Sequence, residues 1–284
     1  MSKLPIDDIL DESLSSAFNS CLNLRGEPNK ELDQYYITKE TSLQRALLFN
    51  KEDYEKKRVL MIGDMDLTSV FIGKLANIKD LAIVDIDKRL PEIVFNMKFK
   101  QKIKTARFIN HDIRLRMLAI LKNQFEYVFV EPTMTIEGIE VGLSRAVQSA
   151  RKDVPSYIVF SYDLGKDKEE GINSLITKMD LEILEDFKDF NKYENETPLK
   201  KKTSDVLIFK VKENSKETIP HHYLGSYYFR ESIIKPSPYL CKCGKVLSIG
   251  SNGDYKSIAE LETLGCPECG YKEKFLYNSS IKIE

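Results

Sequence analysis

Five continuous apolar runs constrain this chain more than any other feature: RVLMIG (58–63), LAIVDID (81–87), ARFIN (106–110), YVFVEP (127–132) and SYIVFSY (156–162). Strands with one wet face alternate polar and apolar residues, whereas runs like these are covered on both faces. The segments between them have helical character: about 67–76, about 90–101, IRLRMLAIL (113–121) and IEGIEVGLSRAVQSA (136–150). Strands and helices in turn predict a parallel sheet with helices on both sides. LEILEDFKDFNKYEN and TSDVLIFKVKE read as two more strands, with no clear helix between them. Five parallel strands and a closing pair make an α/β, Rossmann-like sheet of the S-adenosylmethionine-methyltransferase type.

Four regions follow. Residues 1–54 read as an N-terminal extension and substrate lid, with a helix at DESLSSAFNSCLNL, a strand or hairpin piece at DQYYIT and a capped helix at TKETSLQRALLF. Residues 55–212 form the Rossmann-like catalytic domain, 213–237 a linker that packs on it, and 238–284 a small zinc ribbon. No apolar run approaches the length of a membrane span, and the acidic start MSKLPIDDILDESLSS lacks the apolar stretch of a signal peptide. The expected location is the cytoplasm. With 43 basic and 44 acidic residues the net charge is −1, which argues against a large nucleic-acid footprint and leaves local basic patches open.

Open parallel sheets bind ligands at the carboxyl ends of their strands. Here those ends carry Gly63-Asp64-Met65-Asp66, Asp85-Ile86-Asp87, His111-Asp112 and Glu131-Pro132. Asp85 suits the ribose hydroxyls of an adenosine, or a helix cap; Asp87 reads as a cap. Asp112 suits an adenine amino group flanked by Ile86 and Ile113, or again a cap. A phosphate-binding turn offers bare backbone N–H groups. The turn at Gly63 instead adds Asp64 and Asp66, which repel pyrophosphate and the carboxylate of S-adenosylmethionine and attract an ammonium. Helix capping accounts for one of these aspartates more easily than for both. Glu131 stands where a carboxylate can receive an amine nucleophile and take its proton, or cap its own loop. In the extension, Asp33, Gln34, Tyr35 and Tyr36 combine carboxylate and aromatic faces suited to ammonium groups, or form an edge packed on the domain.

Four of the five cysteines cluster as CKCG (Cys241, Cys243) and CPECG (Cys266, Cys269). Two short Cys pairs supply the four thiolates of a closed, structural Zn2+ site. The first knuckle is one residue short of the common spacing, and the gap between the pairs has room for a hairpin. His221 and His222 read as linker residues. Lys242, Lys245, Lys272 and Lys274 leave nucleic-acid contact through the ribbon open.

The segments DQYYITKETSLQRALL, KRVLMIGDMDLTSV, LAIVDIDKRL, HDIR and EPTMTIEGIEVGLSRAV together resemble the branched-chain polyamine synthases, the N4-bis(aminopropyl)spermidine synthases. The resemblance covers roughly residues 30–165. It implies transfer of an aminopropyl group from decarboxylated S-adenosylmethionine to a polyamine or related amine by a homodimeric enzyme. By analogy Asp64 and Asp66 hold the aminopropyl end, Asp85 the ribose, Asp112 the adenine, and Glu131 the acceptor amine. The sequence departs from the family in three ways. Met65 interrupts the usual run of three aspartates. Glu131-Pro132-Thr133-Met134 replaces Asp-Pro-Pro-Tyr, so the aromatic wall is lost at Met134. The winged-helix-like domain that usually stands ahead of the family's extension is not expected within these residues. A methyltransferase using the unmodified cofactor and a non-catalytic polyamine-binding paralogue are the alternatives.

Overall fold

The computed structural model describes residues 9–133, 135–162, 169–195, 197, 202–225, 227–228, 237–250, 253–255, 258–273 and 275–277. Helices α1 (Glu12–Arg25), α2 (Lys39–Ala46) and the short α3 (Lys51–Tyr54) precede the sheet. Then follow β1 (Arg58–Ile62), α4 (Thr68–Leu75), β2 (Asp80–Asp85), α5 (Leu90–Phe95) continued by a π turn over Asn96–Lys100, β3 (Ala106–Asn110), β4 (Tyr127–Val130), α6 (Ile136–Ser149), β5 (Ser156–Tyr162), α7 (Glu169–Met179), β6 (Leu181–Lys192) and β7 (Thr203–Val211). The seven strands pair in the order β3-β2-β1-β4-β5-β7-β6. The first five are parallel, and β7 runs antiparallel to both β5 and β6.

Both sheet faces are apolar, as the unbroken runs require. Val59, Met61, Leu81, Ile83 and Phe129 face one core, which α1, α2, α4 and α5 cover. Leu60, Ile62, Val84, Val128 and Phe160 face the other, under α6 and α7. The extension therefore shares a core with the sheet: Leu14, Phe18, Cys21 and Leu43 are buried in the first cluster, and Phe18 stacks on Phe71 at 4.9 Å. Edge strand β6 carries two register shifts, at Ile183/Glu185 and Phe187/Asn191, and its residues 182–186 are exposed.

Two local expectations are corrected. DQYYIT forms no strand; it contributes one bridge, Ile37 to Tyr193. The Ile37 N–H instead donates to the Asp66 carboxylate, and Thr38 already caps α2, so no run of residues is left to pair. IRLRMLAIL is not a helix but irregular chain with a single 3-10 turn at Ala119–Leu121. The carbonyls of Ile113 and Arg114 are taken by the Arg145 guanidinium, and that of Arg114 also by the Tyr223 N–H. In addition, α7 lies between β5 and β6, a helix that the sequence reading did not name, and none separates β6 from β7, as expected.

A separate three-stranded sheet comprises β8 (Ser237–Leu240), β9 (Val246–Ile249) and β10 (Leu276–Tyr277), in the order β10-β8-β9. Helix α8 (Ile258–Leu264) lies between β9 and β10, in the gap between the cysteine pairs that had room for a hairpin. Among the described residues, no helix is long and apolar enough to cross a membrane.

Candidate active site

The carboxyl ends of β1, β2 and β4 open into a cleft of about 960 Å3, part of it in free solvent. Strand β1 ends at Gly63, whose φ of +78° disfavours any residue with a Cβ. Gly63 lies between the end of β2 and the end of β4: a Cβ there would meet an Asp85 carboxylate oxygen and the Glu131 carbonyl, each at 4.0 Å. The sheet thus brings three acidic strand ends around one glycine.

Both aspartates of the turn are buried. Asp64 accepts hydrogen bonds from the Ser69 N–H (3.2 Å) and the Ser69 hydroxyl, and so caps the first turn of α4. Burial pushes its pKa up to about 7 against the pull of these donors. Asp66 accepts from the Ile37 N–H at 3.0 Å and from Arg45 Nη1 at 3.0 Å. Met65, between them, is folded into the core, and its carbonyl accepts from Arg25. That packing accounts for an apolar side chain in mid-turn.

Arg45, on α2, was not singled out in the sequence. Its guanidinium is 6% exposed and bonds Asp66, both oxygens of Glu131 (3.0 and 3.3 Å) and Asn191 (2.7 Å). One cation thus serves two carboxylates. Burial and the neighbouring Glu131 hold Asp66 well above the usual carboxylate range. Burial also pushes Glu131 upward, but Arg45 together with hydrogen bonding to Asp66 and Tyr193 outweighs it, and the net shift is downward. Only the fold shows that α2 buries Thr41, Ser42 and Arg45 alongside Leu43 and Ala46, an unusually polar inner face.

Asp85 folds back on its own loop. Its Oδ1 accepts from the Ile86 and Asp87 N–H groups at 2.6 and 2.9 Å, while Oδ2 accepts from no described residue. Burial raises its pKa to about 6. Asp87 is a structural cap, bonded to the Arg89 N–H, the Arg89 guanidinium and Gln34. Arg89 also reaches the carbonyls of Arg25 and Glu27, the Tyr36 hydroxyl and the Gln34 amide oxygen. This network fixes residues 32–36 as a wall of the cleft.

Of the residues proposed to bind ligand, Asp33, Gln34, Tyr35, Gly63, Asp64, Asp66, Asp85 and Glu131 all line this cleft. Asp112 does not. Its carboxylate is held by the Arg114 guanidinium (2.6–3.1 Å), and His111 and Ile113 line the wall in its place. His111 Nε2 is buried with no hydrogen-bond partner among the described residues, and burial lowers the imidazole pKa, so the ring is neutral at pH 7. The aromatic lining was also missed: Tyr162, Tyr193, Tyr227 and Tyr228 join Tyr35 and Tyr36 around the opening. Tyr227 and Tyr228 come from the aromatic segment after residue 212. That segment is tied down by Arg145, a fully buried residue of α6, which bonds the carbonyls of Ile219 (2.7 Å) and His221 (2.8 Å) as well as those of Ile113 and Arg114. Thr133 adds a bond to the Tyr227 carbonyl at 2.8 Å. Met134 lies outside the described residues.

The cleft is lined by five carboxylates, and by no Lys or Arg among the described residues. Such a lining favours a cationic guest.

A family model for the branched-chain polyamine synthase A C-terminal domain matches residues 13–241. The chain belongs to this family. An uncharacterised protein of Methanocaldococcus jannaschii is 32% identical over 264 residues, covering 89% of this chain and 62% of that protein. The N(4)-bis(aminopropyl)spermidine synthase of Thermococcus kodakarensis is 29% identical over 139 residues, covering 49% of this chain and 40% of the synthase. The chain thus spans about three-fifths or less of the length of these curated relatives. In structure it resembles the branched-chain polyamine synthase of Thermus thermophilus, solved with N4-aminopropylspermidine and 5′-methylthioadenosine. The TM-score is 0.68 at 19% identity, over 75% of this chain and 67% of that one, which shows a shared fold.

Outside the sheet domain, the Sγ atoms of Cys241, Cys243, Cys266 and Cys269 lie within 4.8 Å of one another, with Cys241–Cys269 at 3.5 Å and Cys243–Cys266 at 3.7 Å. Four thiolates at the usual Zn–S distance stand roughly 3.8 Å apart on a tetrahedron, so this donor set fits zinc. Gly244 and Gly270, with φ of +88° and +68°, turn the chain back after each knuckle. His222 is engaged elsewhere: its Nδ1 accepts from the Arg116 N–H. Lys245 pairs with Glu268, Lys242 lies over the Tyr271 ring, and Lys274 lies outside the described residues.

Proposed function

We propose that this chain transfers an aminopropyl group from decarboxylated S-adenosylmethionine to a polyamine or related amine. The observation that carries the proposal is the lining of the cleft: Asp33, Asp64, Asp66, Asp85 and Glu131, with no described Lys or Arg to receive a carboxylate. The donor carries a sulfonium and an ammonium and no carboxylate, and the acceptor is also cationic. Tyrosine faces add cation–π attraction for both.

In this reading Asp85 takes the ribose hydroxyls through its open Oδ2, and His111 and Ile113 meet the adenine in place of Asp112. Asp64 and Asp66 receive the ammonium of the aminopropyl end, whose positive charge draws both carboxyls toward the ionised form that burial opposes in the empty cleft. The acceptor nitrogen attacks the terminal carbon next to sulfur. The N–C bond forms as the C–S bond breaks, its electron pair leaves on sulfur as neutral 5′-methylthioadenosine, and the surplus amine proton passes to a carboxylate. Glu131 orients the amine. Asp64, with a pKa near 7, is better matched to taking the proton than Glu131, which Arg45 keeps ionised and weakly basic. The four cysteines hold a structural zinc.

Calorimetry comparing the decarboxylated donor with S-adenosylmethionine tests the binding step; equal affinities would remove the basis for the proposal. Mass spectrometry of a polyamine panel incubated with donor and protein tests the transfer and identifies the acceptor.

The Arg45–Glu131 pair supports a second reading, a polyamine-binding protein without transfer, because it weakens the carboxylate best placed to receive the amine. Retained polyamine binding with no product across the panel would favour it.

A further inference from the structure

At the opposite end of the sheet, where the chain enters β3, a basic and aromatic patch stands on the surface. Between Glu92 and Asp112 there is no acidic residue, yet this stretch holds Lys98, Lys100, Lys102, Lys104 and Arg107, in a chain whose net charge is −1. Arg107 pairs with Asp80; the four lysines are exposed and form no ion pair with any described residue. Among them stand Phe95 and Phe99, 58% and 63% exposed, with ring centroids 4.6 Å apart and Lys98 Nζ 5.9 Å from the Phe99 ring. The other large exposed apolar side chains among the described residues are aliphatic.

This exposure is not a loose end of the helix. Ile93, Val94 and Met97 bury the other face of the same segment. The π turn that carries Phe99 is held at Asn96, whose Oδ1 accepts from Ser20, Cys21 and Gln101 and whose carbonyl accepts from the Gln101 N–H. Widened turns of this kind are often functional. The rings are therefore displayed from a fixed base, and leaving them in water is a cost that folding alone does not explain.

We infer that Phe95, Phe99 and the lysines from 98 to 104 form a docking site for single-stranded nucleic acid. Lysines attract phosphates, and every base offers a flat face to an exposed ring. A second copy of the chain fits poorly, because a two-fold contact through this patch would set lysine against lysine. An anionic membrane is also disfavoured: interfacial helices present a long apolar face, whereas this one offers two rings on a six-residue helix and one π turn. The site lies away from the acidic cleft, so the two can be filled together.

The test is fluorescence anisotropy of a labelled oligo-uridine RNA about 20 nucleotides long with the zinc-loaded full chain. Saturable binding that weakens as salt rises is expected. Phe95→Ala with Phe99→Ala should weaken it about tenfold, and Lys98→Glu with Lys100→Glu should flatten its salt dependence. Lys242→Ala with Lys272→Ala, in the cysteine module, should leave it unchanged. Thermal melts of these surface variants should match the parent. The inference is overturned by no RNA binding at about 50 mM salt, by binding that ignores the Phe pair or follows Lys242 and Lys272, by tighter binding to phosphatidylserine vesicles than to RNA, or by Phe variants that dissociate a dimer in sedimentation.

Discussion

The Arg45 guanidinium donates two hydrogen bonds to the Glu131 carboxylate, at 3.0 and 3.3 Å, from a helix that precedes the sheet. The extension thus supplies the cation that balances the floor of the acidic cleft. Removing it leaves Asp66 buried beside a second carboxylate. Arg45→Met is expected to lower unfolding free energy by about 3–5 kcal/mol in urea titrations, as for other broken buried pairs. Adding Asp66→Asn and Glu131→Gln should recover much of that loss; no recovery would show that Arg45 acts through packing alone.

Stability and ligand affinity should respond to pH in opposite directions. Burial holds Asp64 at about 7 and Asp85 at about 6, both above the ordinary value of 3.8. The folded chain binds these protons more tightly than the unfolded chain does. The stability they contribute is complete below about pH 4 and is lost as pH rises through 6 and 7. Asp64→Asn should remove the upper part of that decline in denaturant melts between about pH 5 and 8. A dicationic donor needs the ionised forms, so its affinity by calorimetry should strengthen over the same interval.

Arg145 is buried, has no carboxylate hydrogen-bonded to it among the described residues and is satisfied by four backbone carbonyls. Arg145→Met should release the segment that carries Tyr227 and Tyr228. The expected outcome is a loss of roughly 3 kcal/mol or more in stability and faster hydrogen exchange at residues 217–228. Donor affinity should fall with it. Thr133→Val, which removes the bond to the Tyr227 carbonyl and the 3.3 Å bond between the Thr133 and Thr135 hydroxyls, should weaken donor binding with a smaller effect on stability.

Metal analysis is expected to find one zinc per chain, bound by the four cysteines. The module buries only a small apolar cluster around Leu247, Tyr255, Leu261 and Phe275, so the metal should supply much of its folding energy. Chelation or Cys266→Ser should open residues 237–277 to hydrogen exchange while donor binding at the cleft stays unchanged. Equal loss at both places would mean that the two parts fold as one.

Much of the sheet was legible because unbroken apolar strands have few alternatives: β1 to β5 and the closing pair stand where their runs lie. Helix α7 was legible too, since Ile172, Leu175, Ile176 and Met179 keep helical spacing, but it was overlooked. IRLRMLAIL misled for a physical reason: its periodicity was real, but Arg145, distant in sequence, takes the carbonyls a helix would use. The acidic lining was readable because strand ends of a parallel sheet must meet. Arg45, Tyr227 and Tyr228 were not, because they reach the cleft from outside the strand-helix repeat, and no local spacing encodes that. Asp112 shows the converse limit, since its position was clear but its pairing with Arg114 was not.

The irregular outer strand bears on how copies of this chain can assemble. Two register shifts and a positive φ at Asp189 break the straight row of amides and carbonyls that a neighbouring β-strand would need, and Glu182, Glu185, Asp186 and Lys188 crowd it with charge. Strand β6 is therefore a terminus, closed to the cross-molecular ribbon through which many α/β proteins polymerise or aggregate.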